Sequence, residues 1–309
     1  MLLEIQSKLM KFFYLMLAAA VFCPMKNKAA KQQRGAKISI GTIVYKWKEV
    51  EDQFRQLHEA QFTSCQLHYN GGMDADYAKR VKKAAKKYHI AITTVVGVPG
   101  TGNKWNFTQG PSTIGLVPRE GREQKIETYH RMIDFCQQAG VPAMHSHFGF
   151  IPEDCSSDQY QEFIAVMKPL AQYAKERGVM IYFETGQETP ITLIRAIKDI
   201  GADNCFINCD TGNLLLYGKA NPTDAIRQFG PLVRDIHAKD GTYPSREDPY
   251  HLGKEKPIPQ GDVDFPTIVR LLKEQGYEGS LTIECELNSK NQDYLVKARQ
   301  YLQDLLDKE

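Results

Sequence analysis

The chain lacks the features that would open several function classes. It contains no CxxC, so a cysteine-based zinc site has no anchor in it. No GK[ST] follows the GTGN segment at 100–103, which excludes a phosphate loop there. An excess of either charge sign is missing too: 39 Lys and Arg against 37 Asp and Glu leave a formal net charge of +2. Such a balance gives no basis for a nucleic-acid or anionic-membrane partner. Histidine is scarce, with 8 in 309 residues, as is tryptophan, with 2. The 7 cysteines show no compact disulfide spacing. Cys205, Cys209 and Cys285 fall on outward strand positions, where buried free thiols are expected.

What is present is ordinary soluble-protein composition, 42% hydrophobic and 25% charged, on a length that suits one α/β barrel of about 250 residues. The first 36 residues differ from the rest. Lys8 and Lys11 precede the uncharged apolar stretch Phe12–Phe22, and small and basic residues follow. The stretch is too short to span a bilayer, and its layout predicts a cleaved signal peptide ending near Ala29 and Ala30. The expected location is therefore periplasmic or secreted, with no stable membrane insertion after cleavage. Bulky Phe22 before Cys23 fits a lipoprotein site poorly. The fold is expected to occupy residues 37–309 as a single domain.

Strand patterns lie at 38–44, 64–68, 90–96, 142–148, 179–184, 205–210, 233–238 and 280–285. Helical patterns separate them, at 49–60, 74–88, 119–139, 158–177, 189–200, 222–229, 264–275 and 290–307. The lysine-rich run 79–87 reads as the wet face of one such helix, with Tyr77, Val81, Ala84 and Tyr88 on its buried stripe. Strict alternation of strand and helix predicts a parallel sheet with right-handed crossovers, and eight units predict closure into a (β/α)8 barrel. Two connections, 97–118 and 240–262, are long enough to act as lids or substrate walls.

Glu184, Asp210, His237 and Glu284 each end an apolar strand pattern. Period-2 alternation points all four inward, opposite apolar neighbours such as Phe183, Cys209, Ile236 and Ile283. The C-terminal strand ends of such a barrel share one face, where active sites form. Three carboxylates and an imidazole there make a hard, oxygen-rich site for a divalent cation. Any one of these carboxylates could instead cap the following helix or pair with a lysine.

These residues sit in FETG, CDTGN and IHAKDG, followed by GDVDF and GYEGSLTIE. In that order they resemble the xylose isomerase-like barrel superfamily of sugar (phosphate) isomerases and epimerases, from about Ile38 to the C-terminus. The resemblance implies that Glu184, Asp210, His237 and Glu284 are metal ligands, with Mn2+, Mg2+, Co2+ or Zn2+ as the cofactor. It also implies proton abstraction beside a carbonyl through a metal-stabilised enediolate, with Glu184 and Glu284 as base and acid. Many relatives carry His three residues after the metal-binding Asp; Asn213 stands there in this chain and cannot titrate near neutrality.

Around that centre, His145 and His147 share one face of the fourth strand and are candidate partners for sugar hydroxyls or protons. Lys239 is a candidate for substrate oxygens or for a salt bridge, and Glu286 for a rim or cap role. Trp105, Phe107 and Tyr250 are candidates to stack on a sugar ring or to anchor their loops. The expected partner is a small-molecule carbohydrate, in a monomer or homo-oligomer. Export favours a non-phosphorylated sugar or keto-sugar as substrate of an isomerase or epimerase. A lyase or dehydratase acting on a keto-sugar, keto-glycoside or inosose would use the same enolate. An endonuclease IV-like phosphodiesterase would need a histidine-rich zinc cluster and a basic face; a barrel that binds sugar without turnover would need neither base nor acid.

Overall fold

Strand patterns alternate with helices along the chain, and this local grammar sets the architecture. The computed structural model describes residues 38–45, 49–286 and 292–308. The expected leader falls outside these residues. From the start of the fold, β1 (Ser39–Val44), β2 (Ser64–His68) and β3 (Ala91–Val96) alternate with α1 (Val50–Glu59) and α2 (Ala75–Tyr88). A short α3 (Gly110–Thr113) and the long α4 (Arg122–Ala139) lead to β4 (Ala143–Ser146), α5 (Asp158–Glu176) and β5 (Met180–Glu184). Next come α6 (Pro190–Ile200), β6 (Cys205–Asp210), α7 (Thr211–Leu216), α8 (Pro222–Phe229) and β7 (Val233–Ala238). The chain ends with a two-strand ribbon, β8 (Asp240–Gly241) and β9 (Glu255–Lys256), then α9 (Phe265–Glu274), β10 (Ser280–Ile283) and α10 (Gln292–Asp307).

The sheet closes in the order β1-β10-β7-β6-β5-β4-β3-β2, with parallel pairing throughout. Polar side chains start the helices where the sequence supplies them: Asp74, Ser157, Asn221 and Asp264 each accept a backbone N–H of the first turn. Pro190 and Pro222 occupy first-turn positions where no N–H is needed. On α2, Tyr77, Ala78, Val81 and Ala84 are buried while the lysines between them face water, as their spacing predicts. Outward strand residues such as Ile181, Phe183, Ile207 and Ile236 pack under the helices. Each contributes about 1.5–3 kcal/mol by leaving water. All six cysteines of the described residues are free thiols, and Cys205, Cys209 and Cys285 are buried as expected. Among the described residues no helix is long and apolar enough to cross a membrane.

Both long connections are more ordered than their composition suggests. Residues 97–118 contain α3 and are strapped down by Lys125, whose Nζ donates to Thr113 O (2.8 Å) and Gly115 O (2.9 Å). Gly115 has a φ of +70°, and a Cβ there would lie 2.0 Å from the Phe148 carbonyl carbon, so only glycine fits. Residues 240–262 fold back as the β8–β9 ribbon. Buried Asp240 gathers their ends, accepting the N–H groups of Gly241, Gly261 and Val263 at 2.8, 2.9 and 3.2 Å.

Candidate active site and metal centre

Glu184 is the last residue of β5, Asp210 the last of β6, and His237 the penultimate of β7; Glu284 follows the last residue of β10. The registers set Asp210 beside His237 and Thr282 beside His237, so the staggered strand ends of a closed barrel meet over one point. The threonines of FETG and CDTGN bolt these ends together. Thr185 Oγ1 receives the Asp210 N–H and donates to its carbonyl, both at 2.9 Å. Thr211 Oγ1 lies 2.6 Å from Lys239 O and 3.2 Å from His237 O. The next residue, Gly212, lets Lys239 pass, for a Cβ there would sit 2.6 Å from Lys239 Cγ.

One ligand atom from each of Glu184, Asp210, His237 and Glu284 lies within 4.8 Å of the others. His237 Nδ1 is their hub, 2.8 Å from Glu184 Oε1, 3.0 Å from Glu284 Oε2 and 3.7 Å from Asp210 Oδ2. Asp210 does two jobs: its Oδ1 accepts the Asn213 N–H at 2.7 Å, capping α7, while its buried Oδ2 has no hydrogen-bond partner among the described residues. The helix-cap alternative for this strand-end carboxylate is thus realised on one oxygen and leaves the other bare. A bare carboxylate oxygen, two further carboxylates and an imidazole nitrogen at one buried point fit a divalent cation.

Electrostatics agree with that donor set. Burial pushes Asp210 up to about 7, against the pull of Lys239. Burial also opposes ionisation of Glu284 and Glu184. For Glu284, Lys239 and His237 outweigh it and hold the group well below the usual carboxylate range; for Glu184, His147 and His237 do the same. Burial would lower His237, yet Glu284 and Glu184 raise it well above its ordinary value. Protons therefore occupy part of the charge deficit that a metal ion would fill.

The other candidates surround this point. His145 and His147 present Nε2 to Glu184 Oε2 at 3.5 and 3.3 Å. His145 Nδ1 meets Thr94 Oγ1 at 2.8 Å, and burial pushes the imidazole down to about 3, so it stays neutral. His147 Nδ1 meets Gln187 Oε1 at 2.9 Å. Trp105, 46% exposed, stands edge-on to His147 at 5.1 Å between centroids, and Phe107 packs against Tyr217. Tyr250 is 80% exposed. Asn213 is buried over the site, with its backbone rather than its amide bonded to Asp210. Lys239 Nζ lies 3.4 Å from both Glu284 Oε2 and the exposed Glu286 Oε1, and 3.8 Å from Glu255 Oε2. Of the two candidate roles of Lys239, the salt bridge is the one the structure contains, in an ion-pair cluster with these carboxylates.

Several buried polar neighbours were not singled out from the sequence: Gln66, Thr94, Gln187 and Asp235. Gln66 was accessible to the same period-2 rule, since it falls opposite Cys65 and Leu67 on an inward position of β2.

A family model described as xylose isomerase-like TIM barrel matches residues 54–305. The chain belongs to the xylose isomerase-like TIM barrel family. The expected superfamily and fold are therefore those found. Among solved structures, a xylose isomerase domain protein from Planctomyces limnophilus is 29% identical, with a TM-score of 0.80 over 88% of this chain and 97% of that one. An L-ribulose 3-epimerase has a TM-score of 0.67 over 87% of this chain and 95% of that one; at 17% identity it shows the shared fold alone. Among curated proteins, an inosose dehydratase of Clostridium tetani is 24% identical over 170 residues, 48% of this chain. The chain spans about half the length of that relative, 55%.

Proposed function

We propose that this family member is a divalent-metal-dependent isomerase or epimerase of a non-phosphorylated sugar or keto-sugar. The observation that carries this is the buried cluster of Glu184, Asp210, His237 and Glu284 around His237 Nδ1, with Asp210 Oδ2 left without a hydrogen-bond partner among the described residues. Those four residues would hold the ion, whether Mn2+, Mg2+, Co2+ or Zn2+. A divalent cation there supplies Lewis acidity toward a carbonyl oxygen. The remaining chemistry belongs to the protein. Glu184 and Glu284, both held ionised, border the same point from separate strands and can take and return a proton beside a carbonyl. Neutral His145 and its neighbour His147 orient Glu184, and Trp105 offers a ring face at the mouth. Lys239 is committed to carboxylates, which makes it a poor phosphate anchor and supports an unphosphorylated substrate. The export expected from the N-terminal stretch would fit the same substrate class.

The similarity to inosose dehydratase supports a second outcome, elimination of a β-leaving group from the same deprotonated carbon. Proton NMR in D2O with Mg2+, over a panel of ketoses, inososes and 3-keto-glycosides, tests both. Metal-dependent deuterium uptake beside the carbonyl is expected, lost in Glu284→Gln, and the product tells isomer or epimer from eliminated species. Uptake that persists unchanged in Glu284→Gln would remove that residue from the chemistry.

A further inference from the structure

We propose that Gln66 is a positioning residue for His237: by accepting the Nε2 hydrogen it leaves Nδ1, the nitrogen that faces the carboxylates, as the one that gives up its proton to a metal ion. This rests on the metal-centre function proposed above. His237 Nε2 lies 2.8 Å from Gln66 Oε1, and both side chains are fully buried. An amide oxygen accepts and never donates, so Nε2 must carry the hydrogen. A neutral imidazole then has its lone pair on Nδ1, the atom at the hub of Glu184, Asp210 and Glu284.

What holds the amide that way round is on its other side. Gln66 Nε2 makes no hydrogen bond among the described residues, and the acceptor near it is the Asp235 carboxylate, which takes the Ile236 N–H at 2.9 Å and the Thr282 hydroxyl at 3.3 Å. Turning the amide over would bring its oxygen against that acceptor and its NH2 against the imidazole. Nε2 would then have to accept, Nδ1 would carry the hydrogen, and the lone pair a metal needs would be gone. The backbone supports the placement: the β2–β3 register shifts between Cys65 and Gln66, setting Gln66 beside Thr94. Irregularities of this kind re-aim side chains near functional sites.

The test uses the whole protein with Zn2+ as the probe. In 15N-histidine-labelled, Zn2+-loaded protein, NMR should show His237 with a hydrogen on Nε2 and none on Nδ1. Gln66→Leu, which keeps the bulk and removes the acceptor, should weaken Zn2+ binding by about 10- to 100-fold, the usual cost of losing such a partner. The melting temperature of the metal-free variant separates a loss of positioning from a loss of fold. A hydrogen on Nδ1 in the loaded wild type, or Zn2+ affinity unchanged in Gln66→Leu, would overturn the assignment to Gln66 while leaving the metal centre standing. No Zn2+ binding by the wild type would overturn both.

Discussion

Glu188→Gln should stabilise the protein in alkaline solution and do little for it in acid. Glu188 follows β5 in the turn FETGQE and is 5% exposed. The Ile151 N–H reaches its Oε1 only at a long 3.5 Å. Burial accordingly pushes its pKa up from the ordinary 4.5 to about 8, and this bond and Lys219 offset it only in part. The folded chain therefore binds this proton more tightly than the unfolded chain does. Below pH 4.5 both states hold the proton and there is no cost; from there the folded state loses stability as pH rises, until the group ionises in both states above about 8. At about 1.4 kcal/mol per pH unit, the ceiling is about 5 kcal/mol. Glutamine has the same shape and cannot ionise. It adds a buried N–H donor costing about 1–3 kcal/mol, but that cost does not vary with pH. Urea unfolding with EDTA present, at intervals from acid to alkaline pH, should show the variant gaining on the wild type by about 1 kcal/mol per unit through the neutral range. A difference that stays flat across that range would refute the reasoning, because it would mean that Glu188 is as ionised in the folded protein as out of it.

Metal binding should release protons, since His237 is held protonated by its carboxylates and must be neutral to ligate. Calorimetry at neutral pH in buffers of different ionisation enthalpy should return about one to two protons per Zn2+, one from His237 and part of another from Asp210, which burial pushes up to about 7; heats independent of buffer would contradict this. Gly212→Ala should lower the melting temperature by an amount matching about 1–3 kcal/mol, because the new Cβ would fall 2.6 Å from Lys239 Cγ and 3.0 Å from its backbone carbon. An unshifted melting temperature would mean that β7 yields there at no cost.

Much of the architecture was legible because the signals are local. Alternation with period 2 is a property of a single strand, so β6 at Cys205–Asp210 and β7 at Val233–Ala238 have the bounds read from their residues. The same phase places Glu184, Asp210, His237 and Glu284 inward, and strand order around a barrel brings four successive strand ends together. Helix starts are local too: the patterns at 74–88, 158–177 and 222–229 begin within a residue of the helices that Asp74, Ser157 and Asn221 cap. The ribbon within 240–262 was not, because its folding depends on Asp240 reaching Gly261 and Val263 across the loop.

Residue types and their phase on each strand were thus decided by the sequence itself: an acidic and imidazole-bearing barrel mouth over an apolar shell. Tertiary structure decided which atoms of those residues meet. Gln66 and His237 are 171 positions apart, and no periodicity relates them; the stagger of the closed sheet and a register shift at β2 place the amide against the ring. Closure likewise divides the two oxygens of Asp210, one to a helix cap and one to the cluster, and draws Lys239 into its carboxylates. Proton positions and charge states follow from those distances and from burial, which belong to the folded barrel and to no segment of the chain.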